Sequence, residues 1–239
     1  MTEVTLKVLP KAESERTLVL RGLDEVTANR AMTTALGSSF DVSGVAHLPA
    51  SIFRNAGDGL GTLGSSQQGV MLVRLEGIGA SVADRAGSVK GMLASFGTAD
   101  MIEDDVSASA WTSIRDVTPF AASGSLGAWP VWRIVCPPAS GGAFGQALAR
   151  ETGGDVIYDW GGGLIWAALP PVADAHAALL RQRLKAIGGH ATLLRATDEV
   201  RGAVDVFQPQ EPGVAALGAR VKASFDPRNI FNRGRMVRA

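Results

Sequence analysis

Short apolar runs alternate with longer amphipathic stretches through the first part of the chain. The runs predict strands at residues 4–9, 18–23, 40–48, 70–76 and 98–103. A first helix is predicted to begin after the capping residue Asp24 and to end at Gly37. A second is predicted to be capped by Ser81 and to end at Gly97. The order over 17–106 is therefore strand, helix, strand, strand, helix, strand.

The same order returns over 129–199. Strands are predicted at residues 131–135, 156–158, 164–169 and 191–194. One helix ends at Gly153, and a second carries Ala177, Leu180 and Leu184 on one stripe. The pattern predicts an α+β fold of two tandem ferredoxin-like (βαββαβ) units with antiparallel sheets. We expect the helices to cover one sheet face and leave the other free to line a cavity or contact a partner.

The segments outside these units have a different composition. Residues 107–128, rich in Ser, Ala and Gly, are interpreted as a linker, and 200–239 as a final helix and tail. The helix is predicted over 212–225, with an inward-facing set of residues. That set is Val214, Leu217, Gly218, Val221 and Phe225. Ile230 and Phe231 are expected to anchor the tail to a core, because untethered chain ends are normally polar.

Composition narrows the function classes. The chain has 239 residues, 46% apolar and 19% charged, which is typical of a globular protein. Lys plus Arg equals Asp plus Glu at 23 each, so we expect no nucleic-acid partner and no anionic-membrane binding. The apolar runs fall short of the ~20 residues that span a bilayer. The absence of a signal-peptide pattern and the single cysteine, Cys136, predict a cytoplasmic protein with a buried structural thiol.

Several candidate motifs lack the context that their chemistry needs. Residues 59–64 spell G-x-G-x-x-G, but they lead into a strand instead of opening a helix, so a mobile loop is predicted. His47, His176 and His190 have no second ligand at metal-binding spacing, and no metal is expected. The carboxylates of 103–105 are interpreted as a solvated loop.

The end of the chain carries the most specific signal. Residues 225–236 read F-D-P-R-N-I-F-N-R-G-R-M, and 204–209 read V-D-V-F-Q-P. The first resembles the F-D-P-x-x-I-F-N-P-G-R ending of FAD-linked oxidases of the vanillyl-alcohol-oxidase type. Within that group the chain is most similar to FAD-binding subunits of bacterial glycolate oxidases, which share a D-V-F-x-P stretch. One departure is Arg233, which replaces the family's proline.

The resemblance implies that this chain is the C-terminal cap domain of such a subunit. FAD would be bound mainly by an N-terminal domain absent from this chain, to which the strand in residues 1–16 would connect. Asn232 and Arg235 would lie near the flavin. The implied partners are that FAD domain and other glycolate oxidase subunits, carrying a second flavin and iron–sulfur clusters. The isolated chain is not expected to be active, and no catalytic residue is assigned.

The substrate implied by the resemblance is a 2-hydroxy acid, with glycolate favoured. Arg115 is a candidate for binding its carboxylate, because a guanidinium can form two parallel hydrogen bonds. The family also has a W-x-x-x-R-type segment where this chain has Trp111 and Arg115. The alternative at this point is a surface pair of Arg115 with Asp116 beside a core tryptophan.

A second function class stays open on the sequence. Paired ferredoxin-like units can also form a free-standing module that binds a small ligand or regulates another protein, since fold alone does not fix function.

Overall fold

A computed structural model describes residues 3–8, 11–54, 60, 61, 63–65 and 67–234. The strands are β1 (Ser14–Arg21), β2 (Gly44–Leu48), β3 (Val70–Gly77), β4 (Ala99–Glu103), β5 (Val131–Val135), β6 (Asp155–Asp159), β7 (Leu164–Ala168) and β8 (His190–Arg195). The helices are α1 (Glu25–Leu36), α2 (Gly79–Leu93), α3 (Asp104–Arg115), α4 (Pro138–Thr152), α5 (Ala177–Ile187), α6 (Asp198–Ala203) and α7 (Pro212–Phe225).

The described strands form a single eight-stranded sheet in the order β4-β1-β3-β2-β6-β7-β5-β8. Every pairing is antiparallel. Each half of the sheet follows the predicted β-α-β-β-α-β order, with its first strand between its third and fourth. The α+β class and the antiparallel pairing are thus confirmed.

The two halves meet where β2 pairs with β6. Ala46 lies opposite Asp159, and His47 lies opposite Tyr158. These strands have the same place in their respective halves, so the sheet is continuous across a seam between equivalent strands. We call this junction the seam.

The helix-covered face matches the sequence expectation. α1, α2, α4 and α5 contribute buried residues to one large apolar cluster beneath the sheet. Asp24 caps α1 as predicted, because one of its carboxylate oxygens accepts hydrogen bonds from the Val26 and Thr27 amides at 3.0 and 2.9 Å. These bonds hold the pKa of the Asp24 carboxyl below its ordinary value.

The second face is not free, which corrects the expectation of an uncovered surface. A second apolar cluster fills part of it, formed by the sheet, α3 and the segments that follow β2 and α3. The strands show the cause, because Leu18, Val19 and Leu20 are all buried although they point to alternate faces. A continuous apolar run of this kind requires cover on both sides.

Helix α3 was not predicted; it begins at Asp104, before the segment interpreted as a linker, and overlaps that segment over 107–115. Its buried residues recur at helical spacing. They include Ser107, Ala110, Trp111 and Ile114. The carboxylates Asp104 and Asp105, expected in a solvated loop, instead form its first turn, where negative charge is favourable.

A buried amide joins the two halves on the helix-covered face. Asn29 of α1 is 4% exposed. Its Nδ2 donates to the carbonyls of Pro138 at 3.1 Å and Gly161 at 3.2 Å, and its Oδ1 accepts from the Gly142 amide at 2.6 Å. One side chain therefore connects α1 to the first turn of α4 and to the β6–β7 turn.

Glycines on α4 allow this close approach. A Cβ atom on Gly141 would lie 2.0 Å from the Gly162 carbonyl oxygen. A Cβ on Gly142 would lie 2.6 Å from the Glu25 carbonyl oxygen, and one on Gly145 would lie 2.5 Å from the Tyr158 hydroxyl. The glycine side of α4 is thus in close contact with α1, β6 and the β6–β7 turn. A larger residue there would force α4 away from these neighbours.

His47 and Tyr158 form a buried polar pair at the seam. Their ring centroids are 5.6 Å apart. His47 Nδ1 is 3.1 Å from the Val70 carbonyl, which assigns the Nδ1–H tautomer. His47 Nε2 and the Tyr158 hydroxyl have no hydrogen-bond partner among the described residues. Burial lowers the pKa of His47 to about 4 and raises that of Tyr158, so both rings are neutral at pH 7.

We expect His47 to make the stability of the fold depend on pH. Because its folded pKa of about 4 lies below its ordinary 6.5, its contribution is fully present above pH 6.5 and decreases as the pH falls toward 4. Between pH 7.5 and 5 the free energy of unfolding should decrease by about 2 kcal/mol through this group. Urea unfolding of the wild type and of His47→Gln at both pH values measures the difference. An equal decrease in both proteins would contradict the assignment.

The chain ends depart from their predictions. Residues 3–8 are exposed and form no strand within the described structure, and Leu9 lies outside it. Helix α7 occupies the predicted residues, but its expected inward face is exposed, and Phe225 is 85% accessible. Ile230 and Phe231 are exposed instead of anchored. No described part of the chain lies over these side chains.

We call these exposed residues the C-terminal apolar surface. Its members are Val214, Leu217, Val221, Phe225, Ile230 and Phe231. Several large apolar side chains exposed within one short segment usually mark an interaction surface.

Candidate functional site

The part of the second sheet face left uncovered forms a groove of about 900 Å³. It crosses the seam, with β3 and α3 on one side and β5 and β7 on the other. The polar and aromatic residues that line it include Glu15, Arg74, Trp111, Arg115, Arg133, Asp159, Trp160 and Trp166. We call it the seam groove.

A chain of hydrogen bonds fixes the α3 wall of the groove. Trp111 Nε1 donates to Thr17 Oγ1 at 2.8 Å, and Thr17 Oγ1 lies 2.7 Å from Ser107 Oγ. Ser107 Oγ donates to the Glu15 carboxylate. Since the Ser107 proton is used there, Thr17 must donate to Ser107. The chain runs in one direction, from the indole to the carboxylate, and ties α3 to β1.

Trp111 also contacts Arg74, a residue of β3. The Arg74 guanidinium carbon lies 4.8 Å from the centre of the Trp111 ring, within the range of a cation–π contact. Arg74 Nε is also 3.1 Å from the Glu76 carboxylate. Gly44 of β2 leaves room for both, because a Cβ there would lie 3.3 Å from the Trp111 ring and 3.4 Å from Arg74 Nε.

The opposite wall contains a tryptophan in an unusual conformation. Trp160 has a φ of 51°, in the left-handed region that residues other than glycine seldom adopt. Its side chain is 56% exposed, and its amide donates to Asp159 Oδ1 at 2.7 Å. Arg133 of β5 lies over its ring at 5.5 Å. Strain held in this way often occurs at functional sites.

The charges of the groove are unequally paired. Arg74 is engaged by Glu76, whereas Arg133 forms no hydrogen bond or ion pair with any described residue. Burial raises the pKa of Asp159, and the charge of Arg74 partly opposes that change. The groove therefore offers an unneutralised guanidinium beside aromatic rings and a partly desolvated carboxylate.

The structure places the predicted carboxylate ligand, Arg115, at the rim of this groove. Its guanidinium donates to both oxygens of Asp116 at 2.8 and 3.1 Å, and its side chain is 71% exposed. This pairing raises the pKa of Arg115 and lowers that of Asp116. The surface-pair alternative thus describes its present contacts, and substrate binding by Arg115 stays a prediction.

The predicted flavin-proximal residues lie in the tail. Asn232 is exposed and has a φ of 52°, and Arg235 lies outside the described residues. The tail turn is organised by Asp226, which accepts hydrogen bonds from Lys222 Nζ and from the Ile230 and Phe231 amides. The Lys222 bond, followed by the two amides, lowers the pKa of Asp226 to about 2. The carboxylate is therefore charged at any ordinary pH.

The described residues of the glycine-rich motif at 59–64 lie in turns and irregular backbone, which agrees with the prediction that this segment does not open a helix. Of this segment Gly59 and Thr62 lie outside the described residues. Leu60 and Leu63 are buried in the second apolar cluster, and the chain continues into β3 instead of a helix. The described part of the motif therefore packs against the sheet and does not form a dinucleotide-binding turn.

The remaining candidates are structural. Cys136 is buried as predicted, and burial raises the pKa of its thiol to about 11. His176, expected to be solvated, is half-buried with Nε2 3.1 Å from the Pro170 carbonyl. Within the described residues no cluster of His, Cys, Asp and Glu could hold a metal. None of the helices in that part of the chain has the length and apolarity to cross a membrane.

The sequence analysis singled out Trp111 and Arg115 but missed the other charged residues that line the groove. Arg133 did leave a signal, since it interrupts the apolar run of β5. Asp159 ends β6, where a charged residue is ordinary, and Arg74 lies inside β3 as the one charged residue between its first four residues and Leu75. They become neighbours of Arg133 only because the two halves join at the seam.

Comparisons with known proteins give a match in structure only. No family model matches the chain, and no curated protein matches its sequence. The structure is similar to p-cresol methylhydroxylase with substrate bound, with a TM-score of 0.65 and 13% identity over 96% of this chain and 54% of that one. It is similar to 4-ethylphenol oxidase from Gulosibacter chungangensis in its isoeugenol complex, with a TM-score of 0.56 and 10% identity over 96% and 55%.

A third similarity is to alkyldihydroxyacetonephosphate synthase, with a TM-score of 0.50 and 12% identity over 91% of this chain and 43% of that one. The chain thus spans about half the length of each of these structures. At such identities the similarity establishes the fold: this chain folds like a part of these larger proteins.

Proposed function

We propose that this chain is the cap domain of an FAD-dependent oxidoreductase that acts on a 2-hydroxy acid, with glycolate as the favoured substrate. The observation that carries the proposal is the seam groove, an aromatic and cationic cavity on the exposed part of the sheet. The structural neighbours support it, since they are FAD-linked oxidases of the kind that the C-terminal motif resembles.

The groove has the size and chemistry to cover a planar ring and a small acid together. Its volume of about 900 Å³ lies near the upper end of the roughly 300–1,000 Å³ of small-molecule sites. A two-carbon acid alone would leave most of it empty. Trp111, Trp160 and Trp166 provide aromatic surfaces beside it. When bound, FAD supplies the hydride acceptor, and this chain would contribute orientation and exclusion of water.

Most of the FAD would be held by another domain. Leu60 and Leu63 of the glycine-rich segment pack into the core and the chain then leads to β3, so the described residues of this segment offer no helix-terminal amides to a diphosphate. The C-terminal apolar surface supports a partner domain, because burying it would remove large apolar side chains from water. Asn232 and Arg235 would then approach the flavin from the tail. Further glycolate oxidase subunits would associate with the assembled protein.

The proposal is tested by supplying the missing domain. The DNA upstream of Met1 is expected to encode an FAD domain. The two segments produced as one protein should be yellow and should reduce a dye when glycolate is added. The 239-residue chain alone is the control and should do neither. A joined protein that stays colourless after flavin is supplied would contradict the proposal.

The alternative is a free-standing binding module. The observation that favours it is that the described residues of this chain line a groove large enough for a small ligand. A stop codon directly upstream of Met1, together with ligand binding by the chain alone, would support this second function.

A further inference from the structure

We infer that Arg133, supported by Trp160, is the residue of the seam groove that binds the carboxylate of a small organic acid. The inference rests on the proposed function for the nature of the acid. It assigns the carboxylate to a different residue from the sequence candidate Arg115.

The first argument is availability. Arg74 and Arg115 each lie beside a carboxylate, that of Glu76 at 3.1 Å and that of Asp116 at 2.8 Å. Arg133 has no ion pair or hydrogen bond among the described residues, although it is half-buried in the groove lining. An anionic ligand could therefore pair with Arg133 without first displacing a protein carboxylate from it.

The second argument is orientation. Arg133 lies in the middle of β5, between Trp166 of β7 and Thr192 of β8, so strand pairing on both sides fixes its backbone position. The contact with the Trp160 ring does not use its N–H donors. A guanidinium held in this way keeps its donors for two parallel bonds to a carboxylate.

The third argument is the strained turn beside it. Trp160 has a left-handed backbone and is largely exposed, and the neighbouring Asp159 carboxylate holds its amide at 2.7 Å. Folding gains less from a tryptophan at this position than from one in the core, because 56% of its surface is exposed. Its position over Arg133 is explained if the ring covers a ligand bound there.

Asp159 limits the affinity. It lines the same groove, and a bound carboxylate would be repelled by its charge. Removing that charge should therefore tighten anion binding, whereas removing the charge of Arg133 should weaken it. The two substitutions are predicted to act in opposite directions at one site.

The experiment uses the 239-residue chain and sodium glycolate, followed through the five indole N–H signals in NMR. The signals of Trp160 and Trp166 should shift. The signal of Trp132, which is buried on the helix-covered face and whose indole N–H donates to the Ala175 carbonyl, should not shift.

Arg133→Gln should weaken glycolate binding at least 10-fold, and Asp159→Asn should strengthen it. Arg150→Gln, which removes an equal charge from the exposed side of α4, is the matched control and should not change binding. Glycolamide, which lacks the carboxylate, should not bind.

Three results would overturn the inference: no shift of Trp160 at tens of millimolar glycolate, equal shifts with glycolamide, or full binding by Arg133→Gln. Loss of glycolate binding in Arg115→Gln but not in Arg133→Gln would assign the carboxylate to Arg115.

This test is separate from that of the proposed function. Glycolate binding through Arg133 in a protein that never becomes yellow would reject only the oxidoreductase. Glycolate-dependent dye reduction with an unchanged KM in Arg133→Gln would reject only the inference.

Discussion

A protein carrying Gly141→Ala is expected to lose about 4 kcal/mol of unfolding free energy, above the usual cost of overpacking. The added Cβ would lie 2.0 Å from the Gly162 carbonyl oxygen and 2.7 Å from its carbonyl carbon. Both are backbone atoms, so no side-chain rotation relieves the contact. The turn cannot retreat easily either, because Asn29 holds the adjacent Gly161 carbonyl.

Gly87→Ala is the matched control for this prediction. Gly87 lies inside α2, is exposed, and would have no heavy atom within 4 Å of an added Cβ. The same exchange should there stabilise the protein by about 0.5–1 kcal/mol, because alanine favours a helix over glycine. Urea unfolding followed by circular dichroism compares the two. Equal changes in both variants would show that α4 does not approach the turn closely.

Asn29→Ala is expected to cost a similar amount, about 4 kcal/mol. It removes three hydrogen bonds from a nearly enclosed site and leaves the Gly142 amide and the Pro138 and Gly161 carbonyls without that partner. Each lost bond is worth about 1 kcal/mol, and a buried group left unpaired costs about 1–3 kcal/mol more. The loss of stability should arise mainly at the contact between α1 and α4, which Asn29 joins.

Asn29→Asp separates hydrogen bonding from side-chain volume. The carboxylate keeps the shape and can accept from Gly142, but it would face the two carbonyls that the amide now satisfies. It should therefore be almost as damaging as alanine at pH 7. Thr34→Ala, on the exposed side of the same helix, removes a bond to the Arg30 carbonyl only and should change stability by less than about 0.5 kcal/mol. Unfolding free energies of Asn29→Ala and Thr34→Ala within 1 kcal/mol of each other would contradict this account.

The sequence predicted most of the strands and helices of the two halves, because their signals are local. The strand at 131–135 has the predicted bounds, and α1 begins after its predicted cap, Asp24. Both depend on side chains within a few residues of one another. The fold class followed from the repeated order of such elements, without any knowledge of which strands would pair across the halves.

Contacts between residues far apart in the chain could not be predicted from the sequence. The pairing of His47 with Tyr158 joins residues that no local pattern relates. Asn29 appeared to be an ordinary polar residue of an amphipathic helix, yet it is the principal polar link between α1 and α4. Trp111 and Arg115 drew attention as a pair, but only the fold shows that α3 carries them to the groove.

The C-terminal helix was predicted correctly in position and wrongly in environment. Its spacing of Val214, Leu217 and Val221 indicates an apolar stripe, and the stripe is present. A periodic pattern shows which side of a helix avoids water, but it does not show which molecule provides the cover. In the described structure that side is exposed.

The unbroken sheet also determines where the groove can adapt. Arg74 and Arg133 belong to different halves, but hydrogen-bonded strands connect them across β2, β6 and β7. The floor between them therefore cannot open like a hinge without rupture of the ladder. The backbone positions of the two arginines are thus fixed relative to each other, and adjustment of the groove must come from side chains and from the rim, through α3 or the turn that carries Trp160.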